Sequence, residues 1–213
     1  TAVIPVYNHG QAVGAVVQAL REHGLPVLMV DDGSEPGCAR VLDTLAHAEG
    51  VTLLRLPSNQ GKGGAMMAGL RAAHAAGFSH ALQIDADGQH DPSSAQRLLQ
   101  PVVDGNADLV VGSRFSSGYE VSFLRGRGMK MLSRMVSRRV GVELSDTTSG
   151  FRAFSRPTLE IFARRYPSQY LSDTVEALLL ASAEGLRIIE SPAQMHTRKG
   201  GSPSAGAWKS AYH

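Results

Sequence analysis

One cysteine, Cys38, stands alone in 213 residues. An intrachain disulfide is therefore excluded, and this usage leans towards a reducing compartment. Cys38 falls where a surface helix is expected to start and reads as a bystander. No run approaches the ~18 apolar residues that a membrane-spanning helix needs, and no signal peptide is evident. The sequence opens without Met and almost inside a strand, which is compatible with flanking segments, membrane segments included. A surplus of one charge is missing too: 21 Lys and Arg against 19 Asp and Glu leave +2. That is not the polybasic signature of a nucleic-acid partner. Internal repeats and heptads are absent.

What the chain does have is concentrated in Leu82-Gln83-Ile84-Asp85-Ala86-Asp87-Gly88-Gln89-His90-Asp91-Pro92. An apolar run that reads as a buried strand ends in two carboxylates one residue apart. In extended backbone, positions i and i+2 point the same way, so Asp85 and Asp87 can converge on one ion. Gly88 permits a sharp exit, and Asp91-Pro92 is a helix start, an N-cap followed by proline. Acids at the C-terminal end of a parallel strand sit where an open α/β sheet places its ligand. A hard divalent cation held by one or two carboxylates, with substrate phosphates completing its shell, fits them. A polar turn before a capped helix would explain Asp91 but not the paired acids.

Strand and helix signals alternate on either side. Residues 2–6 are a short β run ending in the turn Tyr7-Asn8-His9-Gly10. Apolar spacing predicts helices over 11–23, 36–48, 64–76 and 92–104, and strands over 27–30, 51–56, 80–84 and 109–111. Helices of this length between strands imply right-handed crossovers, hence a single Rossmann-like, mostly parallel sheet flanked by helices. After Gly112 the rhythm changes. Residues 113–127 read as a mobile loop, 129–140 as a basic, Met-rich helix, and 146–154 as a turn leading into a strand. A helix over 173–183 and a strand over 187–190 follow, and the basic tail 192–213 is expected to be flexible.

The strand ends carry the chemistry. Asp31-Asp32-Gly33-Ser34 lies one strand from the first pair, so one sheet edge collects four carboxylates. Ionised carboxylates are acceptor-only, suited to nucleobase N–H groups or ribose hydroxyls. Ser34 reads as a helix N-cap, and at least one of the two acids as functional. Asn59-Gln60-Gly61-Lys62-Gly63-Gly64 lacks the Gly-Lys-Ser/Thr ending of a Walker loop and the spacing of a dinucleotide fingerprint. What survives is an amide-rich helix N-terminus with Lys62, a neighbour for ribose or diphosphate.

Together the pieces resemble family 2 glycosyltransferases of the GT-A fold, in the branch with dolichyl-phosphate mannosyltransferases and bacterial polyprenyl-phosphate glycosyltransferases. The likeness runs in order through Ile4-Pro5-Val6-Tyr7-Asn8, Val30-Asp31-Asp32-Gly33-Ser34, Asn59-Gln60-Gly61-Lys62-Gly63, the 85–92 segment, Gly112-Ser113-Arg114 and Ser149-Gly150-Phe151-Arg152. It implies a catalytic domain over residues 1–191, with a nucleotide-binding half of about 1–112 and an acceptor half of about 113–191. Asp85, Asp87 and Gln89 would hold Mg²⁺ or Mn²⁺ against a nucleotide-diphosphate sugar, with Ala86 in the same segment. Pro5, Tyr7, Asn8, Asp31 and Asp32 would line the nucleoside pocket, with Lys62 close to the diphosphate. Arg114 and Arg152 would lie near sugar phosphate and acceptor. The tail segment with Arg198 and Lys199 resembles one that closes over the diphosphate. Members of this branch often carry membrane helices after the catalytic domain; this sequence ends at His213.

The expected reaction is a single in-line displacement with inversion. A hydroxyl acceptor needs a general base, for which Asp146, Asp173 and Glu176 are candidates. Asp173-Thr174-Val175-Glu176 also reads as a capping box. A polyprenyl phosphate is already anionic and needs no base. Met129, Met131 and Met135, interleaved with Lys130, Arg134, Arg138 and Arg139, would suit a helix on an anionic membrane or an irregular core. With upstream Arg125 and Arg127 we read it as an acceptor-side surface, with Trp208 as an interfacial anchor or a packing residue. The expectation is a cytoplasmic enzyme in peripheral contact with the membrane, with no nucleic-acid partner. Two rivals are a sugar-phosphate nucleotidyltransferase, which normally has a Gly-rich basic loop after its first strand, and a silent sugar-nucleotide binding module.

Overall fold

Alternating side chains in the first strand set up both sides of the molecule. β1 (Ala2–Val6) sends Ala2, Ile4 and Val6 to one face and Val3 to the other, the period of two that a strand buried on both faces uses. The computed structural model describes residues 1–114, 123–168 and 173–195. Within them β2 (Val27–Asp31), β3 (Val51–Arg55), β4 (Ala81–Gln83), β5 (Leu109–Ser113), β6 (Arg152–Phe154) and β7 (Ile188–Pro192) join β1 in one sheet. Its order is β3-β2-β1-β4-β6-β5-β7. Every pairing is parallel except those of β6, which runs antiparallel between β4 and β5.

That one reversal matters for the site. Gln83, the last residue of β4, pairs with Arg152, the first of β6, and Arg152 pairs in turn with Val111 of β5. The start of β6 therefore lies at the same sheet edge as the ends of its neighbours.

Helices cover both faces. α1 (Gly10–Glu22), α2 (Pro36–Leu45) and α4 (Ala95–Val103) bury Val13, Val17, Leu20, Leu42 and Leu98 on one. α3 (Gly61–Ala75), α5 (Phe123–Val140), α6 (Arg156–Arg165) and α7 (Asp173–Ala183) cover the other, with Met66, Leu70, Phe162 and Leu178 in its core. The small residues of α3 have a reason. A Cβ on Gly69 would lie 2.5 Å from the Val3 side chain and 2.8 Å from that of Val30, so the helix backbone packs directly on these two valines.

Several boundaries differ from expectation. α3 starts at Gly61, three residues before Gly64, because its first amides find a carboxylate described below. α5 starts at Phe123, inside the stretch read as loop to residue 127, while residues 115–122 lie outside the described residues. α6 has no counterpart in the sequence reading. Its signals were present: Ser155 ahead of Arg156-Pro157, then Leu159, Phe162 and Ala163 at helical spacing, all three buried. β7 extends to Pro192, past the expected Glu190, and so takes in the first residue of the expected tail.

Candidate active site

The first two strand ends are stitched to each other. Asn8 is held at φ 58°, a left-handed conformation that asparagine tolerates better than most. Its N–H donates to Ser34 Oγ at 3.1 Å, and its Oδ1 accepts from Glu35 N–H at 2.8 Å. Ser34 is therefore not the expected helix cap. Its hydroxyl faces Asn8, and Glu35 takes the N-cap position of α2 with no side-chain cap bond. Beside Asn8, Tyr7 is 49% exposed and lines open surface, and Pro5 is half-buried.

The two acids after β2 do different things. Asp31 is buried and accepts from Ser34 N–H at 2.9 Å and Arg55 Nε at 2.8 Å. Burial pushes its carboxyl up, and the bonds from Ser34 and Arg55 outweigh that and hold it low. Asp32 is buried as well, and its Oδ1 accepts from Gln60 N–H at 2.7 Å, with the Gly61 amide also facing it. Burial raises this carboxyl above the usual range despite those amides, and neighbouring Asp31 adds to the rise. Asp32 thus sits at the N-terminus of α3 where a phosphate was expected, satisfying orphan amides and the helix dipole together. Gly33, at φ +72°, makes the turn between the two loops; a Cβ there would sit 2.7 Å from Asn59 N.

β4 ends at Gln83, so Asp85 and Asp87 lie in the loop beyond it and not in extended strand as expected, with Ile84 and Ala86 buried in the core. Lys62, from the first turn of α3, reaches Asp85 Oδ1 at 2.6 Å, and His90 Nε2 lies 3.9 Å from Asp85 Oδ2. Burial raises the Asp85 carboxyl; Lys62, His90 and Arg114 overcome it, so the net shift is downward. Burial likewise lowers Lys62, and Asp85 with Asp173 reverses it to a net rise. Asp87 Oδ1 accepts from Gln89 N–H at 3.0 Å, bending the chain around Gly88. Asp91 caps a short turn through Ser93 N–H at 2.9 Å, as its pairing with Pro92 predicts. Gly150 packs directly on this pair. A Cβ there would collide with the Asp85 carboxylate and lie 2.6 Å from Lys62 Nζ.

The segment after β7 lies along the same loop. Met195 forms an antiparallel bridge with His90, Asp91 N–H donates to the Gln194 carbonyl at 3.1 Å, and Gln194 N–H donates to Ser94 Oγ at 3.2 Å. Residues 192–195 are therefore bound, contrary to the flexible tail expected from 192. Arg198, Lys199 and Trp208 lie outside the described residues.

On the other side, Arg114 follows β5 and forks onto Asp146, with Nε at 2.6 Å from Oδ2 and a terminal nitrogen at 2.9 Å from Oδ1. That terminal nitrogen also donates to Thr148 Oγ1 at 2.8 Å. Burial raises the Asp146 carboxyl, and the guanidinium more than reverses this. Asp146 has a second support that sequence reasoning missed. Glu190 of β7 accepts from the amides of Ser145 at 2.6 Å and Asp146 at 3.0 Å, and from Ser145 Oγ at 2.6 Å. A lone Glu in an edge strand gave no signal for this.

Arg152 is fully buried and donates to the carbonyls of Ser149, Thr147 and Thr174, at 2.9, 3.0 and 2.7 Å. It ties the turn before β6 to the first turn of α7. Asp173 opens α7 as its first helical residue and not as the N-cap of a capping box, and its Oδ2 is buried without a hydrogen-bond partner among the described residues. Glu176 follows one turn later, half-buried. A Cβ on Gly63 of α3 would lie 3.3 Å from the Asp173 Cβ, so the two helix starts meet beside Lys62. Gln83 Nε2, His90 Nδ1 and Thr147 Oγ1 are also buried without partners there. Among the described residues no three His, Cys, Asp or Glu are grouped as a closed metal cage.

The chain has relatives among known proteins. The profile described as Glycosyl transferase family 2 matches residues 1–162. The chain belongs to that family. The glycosyltransferase is 29% identical over 207 residues to a UDP-N-acetylglucosamine–dolichyl-phosphate N-acetylglucosaminyltransferase of Methanococcus voltae, covering 89% of this chain and 82% of that one. It is 33% identical over 198 residues to an undecaprenyl-phosphate mannosyltransferase of Micrococcus luteus, covering 89% and 80%. Polyprenol monophosphomannose synthase of Mycolicibacterium smegmatis is 35% identical over 167 residues, with 74% of this chain and 62% of that one covered. Among solved structures, a mannosyltransferase of Pyrobaculum calidifontis in complex with GDP-Man and Mn²⁺ superposes with TM-score 0.67 at 18% identity. That match covers 98% of this chain and 59% of that one. Glucosyl-3-phosphoglycerate synthase of Mycobacterium tuberculosis gives 0.70 at 18% identity, covering 94% and 72%. The fold is thus the GT-A fold expected, and the nucleotidyltransferase reading is set aside. Among the described residues no helix is long and apolar enough to cross a membrane.

Proposed function

We propose that the enzyme moves a sugar from a nucleotide-diphosphate sugar to a polyprenyl phosphate, with inversion, at the cytoplasmic face of the membrane. The observation that carries this is the acceptor class in the relatives' names: dolichyl phosphate, polyprenol phosphate and undecaprenyl phosphate. A phosphate acceptor is ionised near neutral pH, and that agrees with Asp146, which is held by Arg114 and ill-placed to take a proton. In this reading about residues 1–112 serve the donor and 113–191 the acceptor.

Residues at the edge fit Mg²⁺ or Mn²⁺. Asp85 and Asp87 offer hard oxygen donors from one loop, and substrate phosphates can complete such a shell without a third protein acid. The absence of a side chain at Gly150 lets the Asp85 carboxylate and Lys62 pack against its backbone. A bound cation supplies Lewis-acid stabilisation of the departing diphosphate. Asp85, Asp87 and Gln89 would hold it. Lys62 adds fixed positive charge beside the same oxygens. Tyr7 and Pro5 would face the nucleoside, with Asn8, Asp31 and Asp32 keeping that wall in shape. Arg114 would face the sugar phosphate or acceptor, set in place by Asp146, and Arg152 would keep the floor of the site in place.

A second reading has one observation in its favour. Asp173 Oδ2, buried beside Lys62 and without a hydrogen-bond partner among the described residues, is a candidate base for a hydroxyl acceptor.

The test is direct. GDP- and UDP-sugars are offered with a short polyprenyl phosphate and Mn²⁺ or Mg²⁺, and labelled lipid is extracted. Labelled lipid that vanishes in chelator is expected; label confined to free sugar or to soluble glycans would contradict the proposal.

A further inference from the structure

We infer that the outer face of α5 is a docking surface for an anionic lipid bilayer. One side of this helix belongs to the core: Val136 and Ser133 are buried, and Leu132 and Val140 pack beneath them. The other side exposes Met131 at 66% and Met135 at 59%. At about 100° per residue these methionines sit one turn apart on one line. Arg138, Arg134 and Lys130 fan out on one side of that line and Arg139 lies on the other, all exposed. No acid occurs between residues 128 and 140.

A single exposed methionine means little. Two in register, flanked on both sides by cations whose stems can lie flat while the heads reach phosphate, match an interfacial helix. Charge complementarity selects an anionic surface, and the methionines select one with an apolar interior.

The helix is not a loose attachment. Ser133 Oγ donates to the Ser145 carbonyl at 3.0 Å, and Ser137 Oγ bonds the Leu144 amide and carbonyl at 2.9 and 3.2 Å. The turn so held continues into Asp146 and its pair with Arg114. The bilayer would therefore meet the element that carries one wall of the site.

This inference does not require the acceptor to be a lipid, and its test uses vesicles free of polyprenyl phosphate. The full chain is sedimented with phosphatidylcholine vesicles, and with vesicles containing roughly a third phosphatidylglycerol. Tenfold or stronger binding to the anionic vesicles is expected. Met131→Ser with Met135→Ser, and separately Arg138→Glu with Arg139→Glu, should each weaken it tenfold or more. Thermal midpoint and nucleotide-sugar binding should be unchanged in both. No binding by the unaltered chain, or binding unaffected by either pair, overturns the inference. Loss in the charge pair alone, with the methionine pair binding normally, also overturns it and points to a soluble polyanion. Vesicle binding without transfer to polyprenyl phosphate would sink the proposed function and leave this inference standing.

Discussion

Lys62 Nζ rests 2.6 Å from Asp85 Oδ1, joining the first turn of α3 to the loop after β4. The lysine therefore occupies one side of the carboxylate that a divalent cation would use. Both side chains are partly exposed, at 37% and 27%, so solvent screens the pair.

A competition follows. Lys62→Met should bind Mn²⁺ alone more tightly, by roughly fivefold, since a partly exposed pair is worth about 1 kcal/mol. Calorimetric titration without nucleotide checks this. Affinity equal to or weaker than that of the unaltered chain would show that Lys62 does not compete.

Gly150 offers a test by shape. Gly150→Ala should cost at least tenfold in transfer, because its methyl group would press on Asp85 and Lys62. Circular dichroism should show a native fold. Normal turnover in that variant would mean that the placement of Asp85 and Lys62 does not matter for transfer.

The Arg114–Asp146 pair carries a pH signature. Asp146 has its carboxyl below the ordinary range when folded, so its stabilisation is complete above the unfolded value of about 3.9 and fades as pH falls through the folded one. Asp146→Asn should destabilise the fold by about 3 kcal/mol at neutral pH, since it removes the carboxylate charge onto which a largely buried guanidinium forks. Urea unfolding at neutral pH and again below the unfolded value should show that difference shrinking in acid. The same difference at both would refute the pairing as its source.

Glu190 should matter through that pair. Glu190→Gln keeps the size but weakens the bonds to the amides of Ser145 and Asp146. Transfer should fall several-fold through kcat or acceptor KM, with donor affinity unchanged. Loss of donor affinity would place Glu190's influence elsewhere.

Much of this site could be read along the chain because its residues lie where strands end. Periodicity located β1, β2 and β4, and Asp31, Asp32, Asp85 and Asp87 followed immediately. What could not be read were contacts between loops distant in sequence. Ser34 has the chemistry of a cap, yet Asn8, 26 residues away, takes its hydroxyl. The Gln60 and Gly61 amides suited a phosphate, yet Asp32 meets them first. Arg152 looked like a ligand-facing cation, yet β6 reverses direction and buries it among carbonyls. α6 was legible and missed, since its start lacks an acidic first turn and follows a three-residue strand.

The central claim is transfer to an ionised acceptor without a general base. It is tested most directly by comparing a short polyprenyl phosphate with the alcohol of equal chain length, in the unaltered enzyme and in Asp173→Asn. The account predicts transfer to the phosphate only, with Asp173→Asn retaining most of the rate because no proton has to be removed. Robust transfer to the alcohol, abolished in Asp173→Asn, would contradict it and make Asp173 the base.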